Sequence, residues 1–354
     1  MQKEAKDFLF SLLSTPSPTG FEQPIQRVVR EYVKGFADEV KTDLHGNVIV
    51  GVNVRAKRRV MLAGHCDQIG FMVRYIDKEG YIWVSALGGI DAGVVPGAHA
   101  TVHTKNGPIT GVFGRKPIHF QTNEERSKMT LELKKMWLDI GAKSKAEVEE
   151  IIQIGDPVTF SLGATELRNG IIAGAGIDNR VGLFVAIEVA RLCSQKKISV
   201  ALYAVSTVQE EVGLRGAHTA SYAVDPEVGI AIDVVHATDN PGSDDTKASS
   251  CKLGAGPSIV RGPNANPVVE KLLLDSAKRS RIPVQINPDS RPLGNDANAM
   301  QITRGGVATG AVQIPNRYMH TQVELCSIKD LDNAIKLLTG FISRITAATQ
   351  FIPE

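Results

Sequence analysis

Apolar residues at helical spacing open the chain. One face of a first predicted helix carries Phe8, Leu9, Leu12 and Leu13. The sequence T-P-S-P-T-G at 15–20 ends this helix, and a second helix is expected over about 22–35. The segments 40–43 and 47–52 indicate a hairpin, and the continuous apolar run at 60–63 is typical of a strand covered on both faces.

The pattern changes near residue 70. From 71 to about 160 the chain has short alternating runs rich in Gly and Val, as at 81–85 and 98–103, and these predict strands. A helical stretch is expected at 123–140. We therefore predict a β-rich insert at 71–165.

After residue 171 the pattern alternates between strands and helices. Apolar runs predict strands at 199–207, 228–233 and 307–312. Helical spacing predicts helices at 179–193, 267–280 and 327–347. Such alternation is typical of an α/β fold with a mixed, mostly parallel sheet sandwiched by helices. The two ends of the chain, 1–70 and 166–354, would form this domain around the insert.

Composition narrows the class of protein. The chain has 354 residues, 43% hydrophobic and 22% charged, which is ordinary for a globular protein and excludes disordered and collagen-like classes. With 40 Lys and Arg against 38 Asp and Glu, no basic excess predicts binding to nucleic acid or to a membrane surface. No apolar run is long enough to span a bilayer. The four cysteines are scattered without a C-x-x-C pair, which indicates reduced thiols and a cytoplasmic protein.

The first candidate site residues lie at the end of the strand 60–63. His65 and Asp67 point to the same side if the strand geometry continues. Ligands of open α/β sheets bind beyond the carboxyl ends of strands, and a carboxylate beside a metal-binding His can hold its tautomer. On its own this H-x-D pattern fits a hydrogen-bonded pair at a strand end equally well.

Carboxylates occupy two further turns. Asp178, in G-A-G-I-D-N-R, precedes a predicted helix and suits either an N-cap or a ligand. Glu210 and Glu211 follow the apolar strand 199–207. Two adjacent carboxylates at a buried strand end repel each other and are costly to desolvate. We therefore favour roles as one metal ligand and one general base over an exposed acidic turn.

Two more polar residues follow strands late in the chain. Asp233 ends the strand 228–233, and His320 follows the strand 307–312. The complete set of strand-end groups is His65, Asp178, Glu211, Asp233 and His320. Two imidazoles and three carboxylates suit Zn²⁺, Co²⁺ or Mn²⁺ and not Ca²⁺. Two such ions could share one bridging carboxylate, which would leave Glu210 as the general base of a hydrolase.

Five motifs together resemble a known family. They read G-H-C-D-Q-I-G-F, A-G-I-D-N-R-V-G, Q-E-E-V-G-L-R-G-A, A-I-D and R-Y-M-H-T-Q-V-E, in order along essentially the whole chain. The chain resembles the cocatalytic metallo-aminopeptidases of the tetrahedral (TET) type, which include glutamyl and deblocking aminopeptidases and some members called endoglucanase. The resemblance implies two divalent metal ions per subunit, Zn²⁺ or Co²⁺ or else Mn²⁺. His65 and Asp233 would bind one ion, Glu211 and His320 the other, and Asp178 both.

The resemblance also implies the remaining roles. Glu210 would be the base and proton shuttle, and Asp67 would orient His65. A cis peptide would follow Asp178. The insert would be a dimerisation domain, and the dimers would assemble into a hollow dodecamer. The expected substrates are short peptides with a free N-terminus, with no nucleic-acid or membrane partner.

Substrate preference stays open at this point. Many relatives have G-G-T-D where this chain reads G-N-D-A at 294–297, so their specificity does not transfer directly. Arg261 and Arg291 lie in loops that could reach the pocket and select Glu or Asp, or they could be solvated surface residues.

Other functions remain as alternatives. Related carboxypeptidases and deacylases share the H-x-D and E-E motifs but carry their extra domain before the last His. Here the gap of 113 positions from His65 to Asp178 exceeds the 87 from Asp233 to His320, which disfavours them. A glycoside hydrolase would need two catalytic carboxylates and no metal, and two Trp supply few sugar-stacking surfaces. A non-enzymatic assembly protein with the same fold is the remaining alternative.

Overall fold

The computed structural model describes residues 1–127, 131–244 and 249–353. Its α-helices are α1 (Lys3–Ser14), α2 (Gln23–Val33), α3 (Asn123–Ser127), α4 (Lys145–Glu149), α5 (Ile177–Ser194), α6 (Arg215–Val224), α7 (Pro267–Ser280), α8 (Asp296–Gln301) and α9 (Ile328–Ile342). The first strands are β1 (Glu39–Thr42), β2 (Val48–Val52), β3 (Arg59–His65), β4 (Gly70–Ile76), β5 (Ile82–Leu87), β6 (His99–Thr104), β7 (Gly107–Arg115), β8 (Met136–Asp139) and β9 (Pro157–Phe160). The later strands are β10 (Ala164–Glu166), β11 (Ile171–Gly174), β12 (Ala201–Thr207), β13 (Val228–His236), β14 (Ser258–Arg261), β15 (Gln285–Pro288), β16 (Ala308–Asn316) and β17 (Glu324–Ser327).

An eight-stranded sheet forms the centre of the larger domain, in the order β1-β2-β12-β3-β13-β16-β14-β15. The four central strands, from β12 to β16 in this order, are parallel to one another. The hairpin β1-β2 and strand β14 join them in antiparallel pairings. The predicted α/β fold with a mixed, mostly parallel sheet is therefore confirmed. Because the central strands are parallel, the groups that follow them meet at one edge of the sheet.

Helix α5 packs very closely on strand β3. Almost every residue of α5 is buried, which is typical of a helix enclosed by other elements. A Cβ at Gly64 would lie 2.4 Å from the backbone N of Leu183, so only glycine allows this approach. The peptide between Asp178 and Asn179 in the first turn of α5 is cis, as the family resemblance implies. The close packing sets the start of α5 beside the end of β3.

The insert forms a closed antiparallel barrel with the strand order β4-β5-β8-β7-β6-β9. Alternate residues of these strands point into its own apolar core, where the Phe71 ring lies 4.7 Å from that of Phe113 and 5.3 Å from that of Phe160, between centroids. A small β-rich insert was predicted, and the barrel confirms it. The boundaries 1–70, 71–165 and 166–354 remain predictions.

Some predicted elements differ from the structure. The helix expected at 123–140 is wrong over most of its length: α3 ends at Ser127, residues 128–130 lie outside the described residues, and 136–139 form β8. Met136 and Leu138 are buried in the barrel while Trp137 and Asp139 are half-buried, which is the two-residue period of a strand. The strands β14 and β15 had no counterpart in the prediction. Among the described residues, no helix is both long and apolar enough to cross a membrane.

Candidate metal centre

Imidazoles and carboxylates from five segments meet at the carboxyl edge of the parallel strands. His65 Nε2 lies 3.3 Å from Asp178 Oδ1 and 3.7 Å from Asp233 Oδ1. On the other side, His320 Nε2 lies 3.3 Å from Asp178 Oδ2 and 3.7 Å from Glu211 Oε2. Two groups of three side chains result, and within each the ligand atoms lie within 4.8 Å of one another. Both groups include Asp178, whose two oxygens face opposite imidazoles.

The carboxylates of this cluster need a positive charge to be ionised together. Burial raises the pKa of Glu211 to about 8, with the Asp178 charge adding to the effect. Burial likewise raises the pKa of Asp233 to about 8. Burial would also raise the pKa of Asp178, but hydrogen bonds from His320 and His65 hold it well below its usual range. Glu211 Oε1 is buried and has no hydrogen-bond partner among the residues that the structure describes. A mixed imidazole and carboxylate set with an unpaired buried oxygen fits divalent transition metals.

Asp67 lies next to this cluster and organises two segments. His65 Nδ1 is 3.1 Å from the Asp67 backbone carbonyl and 3.4 Å from Asp67 Oδ1. The backbone N–H groups of Glu210 and Glu211 donate to the Asp67 carboxylate at 3.0 and 3.3 Å. The Thr19 hydroxyl donates to it at 2.8 Å. The fully buried Asp67 therefore fixes the turn after β12 as well as facing His65.

Glu210 belongs to neither group of three and lies beside His65. Its Oε2 lies 3.7 Å from His65 Nε2, and its side chain lines the pocket over the cluster. Burial raises its pKa well above the usual range, against the opposing charge of His65. A carboxylate at this position can accept a proton from a group bound in the pocket.

Two further buried carboxylates lie near the centre, and no role was predicted for either from the sequence. Glu324 Oε2 accepts the backbone N–H of Asp178 at 2.7 Å, and its Oε1 accepts that of His320 at 3.1 Å. Asp296, at the start of α8, accepts a hydrogen bond from the Thr207 hydroxyl at 2.6 Å. Glu324 falls inside the quoted motif R-Y-M-H-T-Q-V-E, and its place at the start of a buried strand was the available signal.

A pocket of about 510 Å³ opens above the cluster. Gly89, which follows β5 of the barrel, reaches its wall, and a Cβ there would lie 3.3 Å from His320 Nδ1. Neither Arg261 nor Arg291 lines this pocket. Its remaining wall residues are Gly213, Leu214, Val234, Asp289, Leu293, Gly294, Asn295, Gln313 and Met319.

The chain is similar in sequence and in fold to known aminopeptidases. A family model described as M42 glutamyl aminopeptidase matches residues 46–337. The lysyl aminopeptidase of Pyrococcus furiosus is 38% identical over 96% of this chain and 97% of its own length. The structure of a TET aminopeptidase from the marine archaeon Thaumarchaeota archaeon SCGC AB-539-E09 has a TM-score of 0.93 at 34% identity, covering 97% of each chain. The TET1 peptidase of Pyrococcus horikoshii, which can assemble into a tetrahedron or a large octahedral shell, has a TM-score of 0.85 at 29% identity, covering 96% of this chain and 100% of its own.

The chain belongs to the M42 family of aminopeptidases. It is a peptide-bond hydrolase that depends on a divalent metal. The predicted resemblance to TET-type aminopeptidases and the predicted enzyme class are thereby confirmed.

Proposed function

We propose that the protein removes the N-terminal residue from short peptides at a site holding two divalent metal ions. His65 and Asp233 would hold one ion, Glu211 and His320 the other, and Asp178 would bridge them. The observation that carries this proposal is the position of Asp178, with one oxygen 3.3 Å from each imidazole nitrogen. The donor set is compatible with Zn²⁺, Co²⁺ or Mn²⁺.

The chemistry that a bound metal pair supplies is Lewis-acid activation of the scissile carbonyl and of a water molecule. The chain's own contribution to proton transfer comes from Glu210. Its carboxylate would take a proton from the attacking water at Oε2, hold it inside the pocket, and deliver it to the nitrogen of the leaving peptide. Support for this role comes from its position 3.7 Å from His65 and on the pocket wall.

Asp67 would act through its neighbours. Its carboxylate accepts the backbone N–H groups of Glu210 and Glu211, so it would hold the base and a ligand in fixed relative positions. Its carbonyl and carboxylate face His65 Nδ1, which would keep Nε2 directed at Asp178 and Asp233.

The acidic character of the pocket floor supports exopeptidase action. A free α-ammonium group is the one part of a peptide backbone that carries a positive charge, and carboxylates attract it. An acylated N-terminus lacks this charge. The proposal therefore includes selection for peptides with a free N-terminus.

We also propose that the chain forms homo-oligomers, with the barrel at the dimer contact and dimers assembling into a tetrahedral dodecamer. The support is the similarity to the TET1 peptidase that assembles into a tetrahedron. A cytoplasmic location remains a prediction.

The test is an assay of the purified protein against aminoacyl-p-nitroanilides, with N-acetylated versions as controls. We expect cleavage of the free-amine substrates alone, lost on chelation and restored by Zn²⁺, Co²⁺ or Mn²⁺. Equal cleavage of acetylated substrates would contradict exopeptidase action, and activity that resists chelation would contradict the metal site.

A further inference from the structure

The pocket wall has a charge pattern that the metal centre does not require. Apart from the carboxylates of the metal centre and Glu210, Asp289 supplies the one carboxylate among the described residues of the wall. No Lys or Arg is among the described residues that line the pocket. A substrate side chain that lies beside Asp289 would therefore meet its negative charge and, among the described residues of the wall, no Lys or Arg.

The Asp289 carboxylate is held in place without being neutralised. Its Oδ1 accepts the backbone N–H of Arg291 at 2.9 Å, and its own N–H donates to the Arg261 carbonyl at 2.9 Å. The contact between the two loops is tight, since a Cβ at Gly262 would lie 1.8 Å from the Asp289 carbonyl oxygen. Among the described residues, no Lys, Arg or His forms an ion pair with its side chain.

Arg261, on the adjoining strand end, is a candidate for a counter-charge, but its guanidinium is bound to another carboxylate. The Arg261 guanidinium donates to Glu270 Oε1 at 2.7 Å through Nε and at 2.5 Å through its terminal nitrogen. Its side chain is 55% exposed, and it lines a separate surface depression next to Asp289. Arg291 is exposed. The positions of Arg261 and Arg291 therefore do not favour a basic pocket that selects Glu or Asp, which was one of the two possibilities left open by the sequence.

The rest of the wall suits a long aliphatic side chain. Leu214, Val234 and Leu293 line the same pocket as Asp289. Methylene groups bury well against such residues, while a terminal ammonium or guanidinium group needs a partner when it leaves water. The half-buried Asp289 carboxylate, which has no ion-pair partner among the described residues, provides that partner.

We infer that Asp289 selects peptides whose N-terminal residue is Lys or Arg. The inference rests on the aminopeptidase function proposed above, because it assumes that the substrate's first side chain enters this pocket. Asp289 acts on substrate binding, through charge pairing with the side chain, and takes no part in proton transfer.

The experiment compares kcat/KM for p-nitroanilides of Lys, Arg, norleucine and Glu on the metal-loaded full chain. Norleucine matches the Lys stem without its charge. We expect kcat/KM for the Lys and Arg substrates to exceed that for the norleucine substrate roughly tenfold to a hundredfold, which is the range for one hydrogen bond to a charged group. This ratio should fall as NaCl is raised, because exposed and half-exposed charges are screened by salt.

Asp289→Asn is the informative variant, since its amide oxygen still accepts the Arg291 N–H while the charge is gone. It should lower kcat/KM for the Lys and Arg substrates about tenfold or more, mainly by raising KM. The value of kcat/KM for the norleucine substrate should stay within about twofold of the wild-type value. Arg261→Gln is the matched control from the adjoining loop and should leave the Lys to norleucine ratio unchanged.

Three results would overturn the inference. A wild-type enzyme that cleaves norleucine or Glu better than Lys would do so, and so would an Asp289→Asn variant that slows every substrate equally. Both leave the aminopeptidase function standing. Absence of cleavage of every free-amine substrate in Zn²⁺, Co²⁺ and Mn²⁺ would overturn that function and this inference together.

Discussion

Glu324→Gln should weaken metal binding without preventing folding. The carboxylate of Glu324 joins two segments that carry proposed ligands, through the backbone N–H of Asp178 at 2.7 Å and that of His320 at 3.1 Å. Gln has nearly the same shape but a single acceptor oxygen. One of the two N–H groups would therefore face an NH₂ donor.

The size of the effect follows from that loss. A buried donor left without its acceptor costs roughly 1–3 kcal/mol. If the ligand segments shift to relieve this cost, metal affinity should fall about tenfold to a hundredfold, the range known for partners that orient metal ligands. The fold should lose stability by a comparable amount.

The assay is competition between the metal-free protein and a chromophoric chelator for Zn²⁺, together with the visible spectrum of bound Co²⁺. A matched control exists in Asp330→Asn. Asp330 is also a fully buried carboxylate with two backbone N–H donors, from Gly254 at 2.6 Å and Gly256 at 2.8 Å. It supports no proposed ligand, so its variant should lose stability and keep its metal affinity. Equal metal affinities for wild type and Glu324→Gln would refute the reasoning.

Three further predictions concern the base, the packing and the response to pH. Glu210→Gln should keep its metal and lose about 10²- to 10⁴-fold in kcat, and near-normal turnover would exclude Glu210 as the base. Gly64→Ala should destabilise the fold by more than about 2 kcal/mol in denaturant unfolding, because its Cβ would lie 2.4 Å from the Leu183 nitrogen. The exposed Gly35→Ala, with open space around it, is the control, and equal losses would contradict the packing argument. Burial lowers the pKa of His103 from 6.5 to about 4, so the unfolded chain takes up a proton first as pH falls. The free energy of unfolding should therefore fall between pH 7 and pH 5, and His103→Gln should remove roughly 1–2 kcal/mol of that fall. Coinciding pH profiles for the wild type and the variant would contradict this prediction.

The sequence was most informative where a short apolar run ended in a polar group. His65 and Asp233 come from β3 and β13, which are neighbours in the parallel sheet, and their convergence follows from that arrangement. The alternation of strands and helices predicted the sheet itself. These features depend on local pattern and on one general rule of α/β folds.

Other features depend on contacts that no local pattern contains. Glu324 acts on Asp178, 146 positions away, and only the fold brings the two together. The orientation of Arg261 away from the pocket is set by its pairing with Glu270. The helix at 123–140 was predicted wrongly because the charged residues near its start are typical of a helix. Strand β8 is only four residues long, so its two-residue alternation is a weak signal.

We propose that two metal ions bound around Asp178 are required for peptide hydrolysis. The direct measurement is a titration of the chelated protein with Zn²⁺ or Co²⁺, following bound metal and hydrolysis of an aminoacyl-p-nitroanilide in the same samples. We expect two bound ions per chain at full activity. In His320→Ala we expect one bound ion per chain and no comparable activity. Full activity with a single ion per chain, or with none, would contradict the proposal.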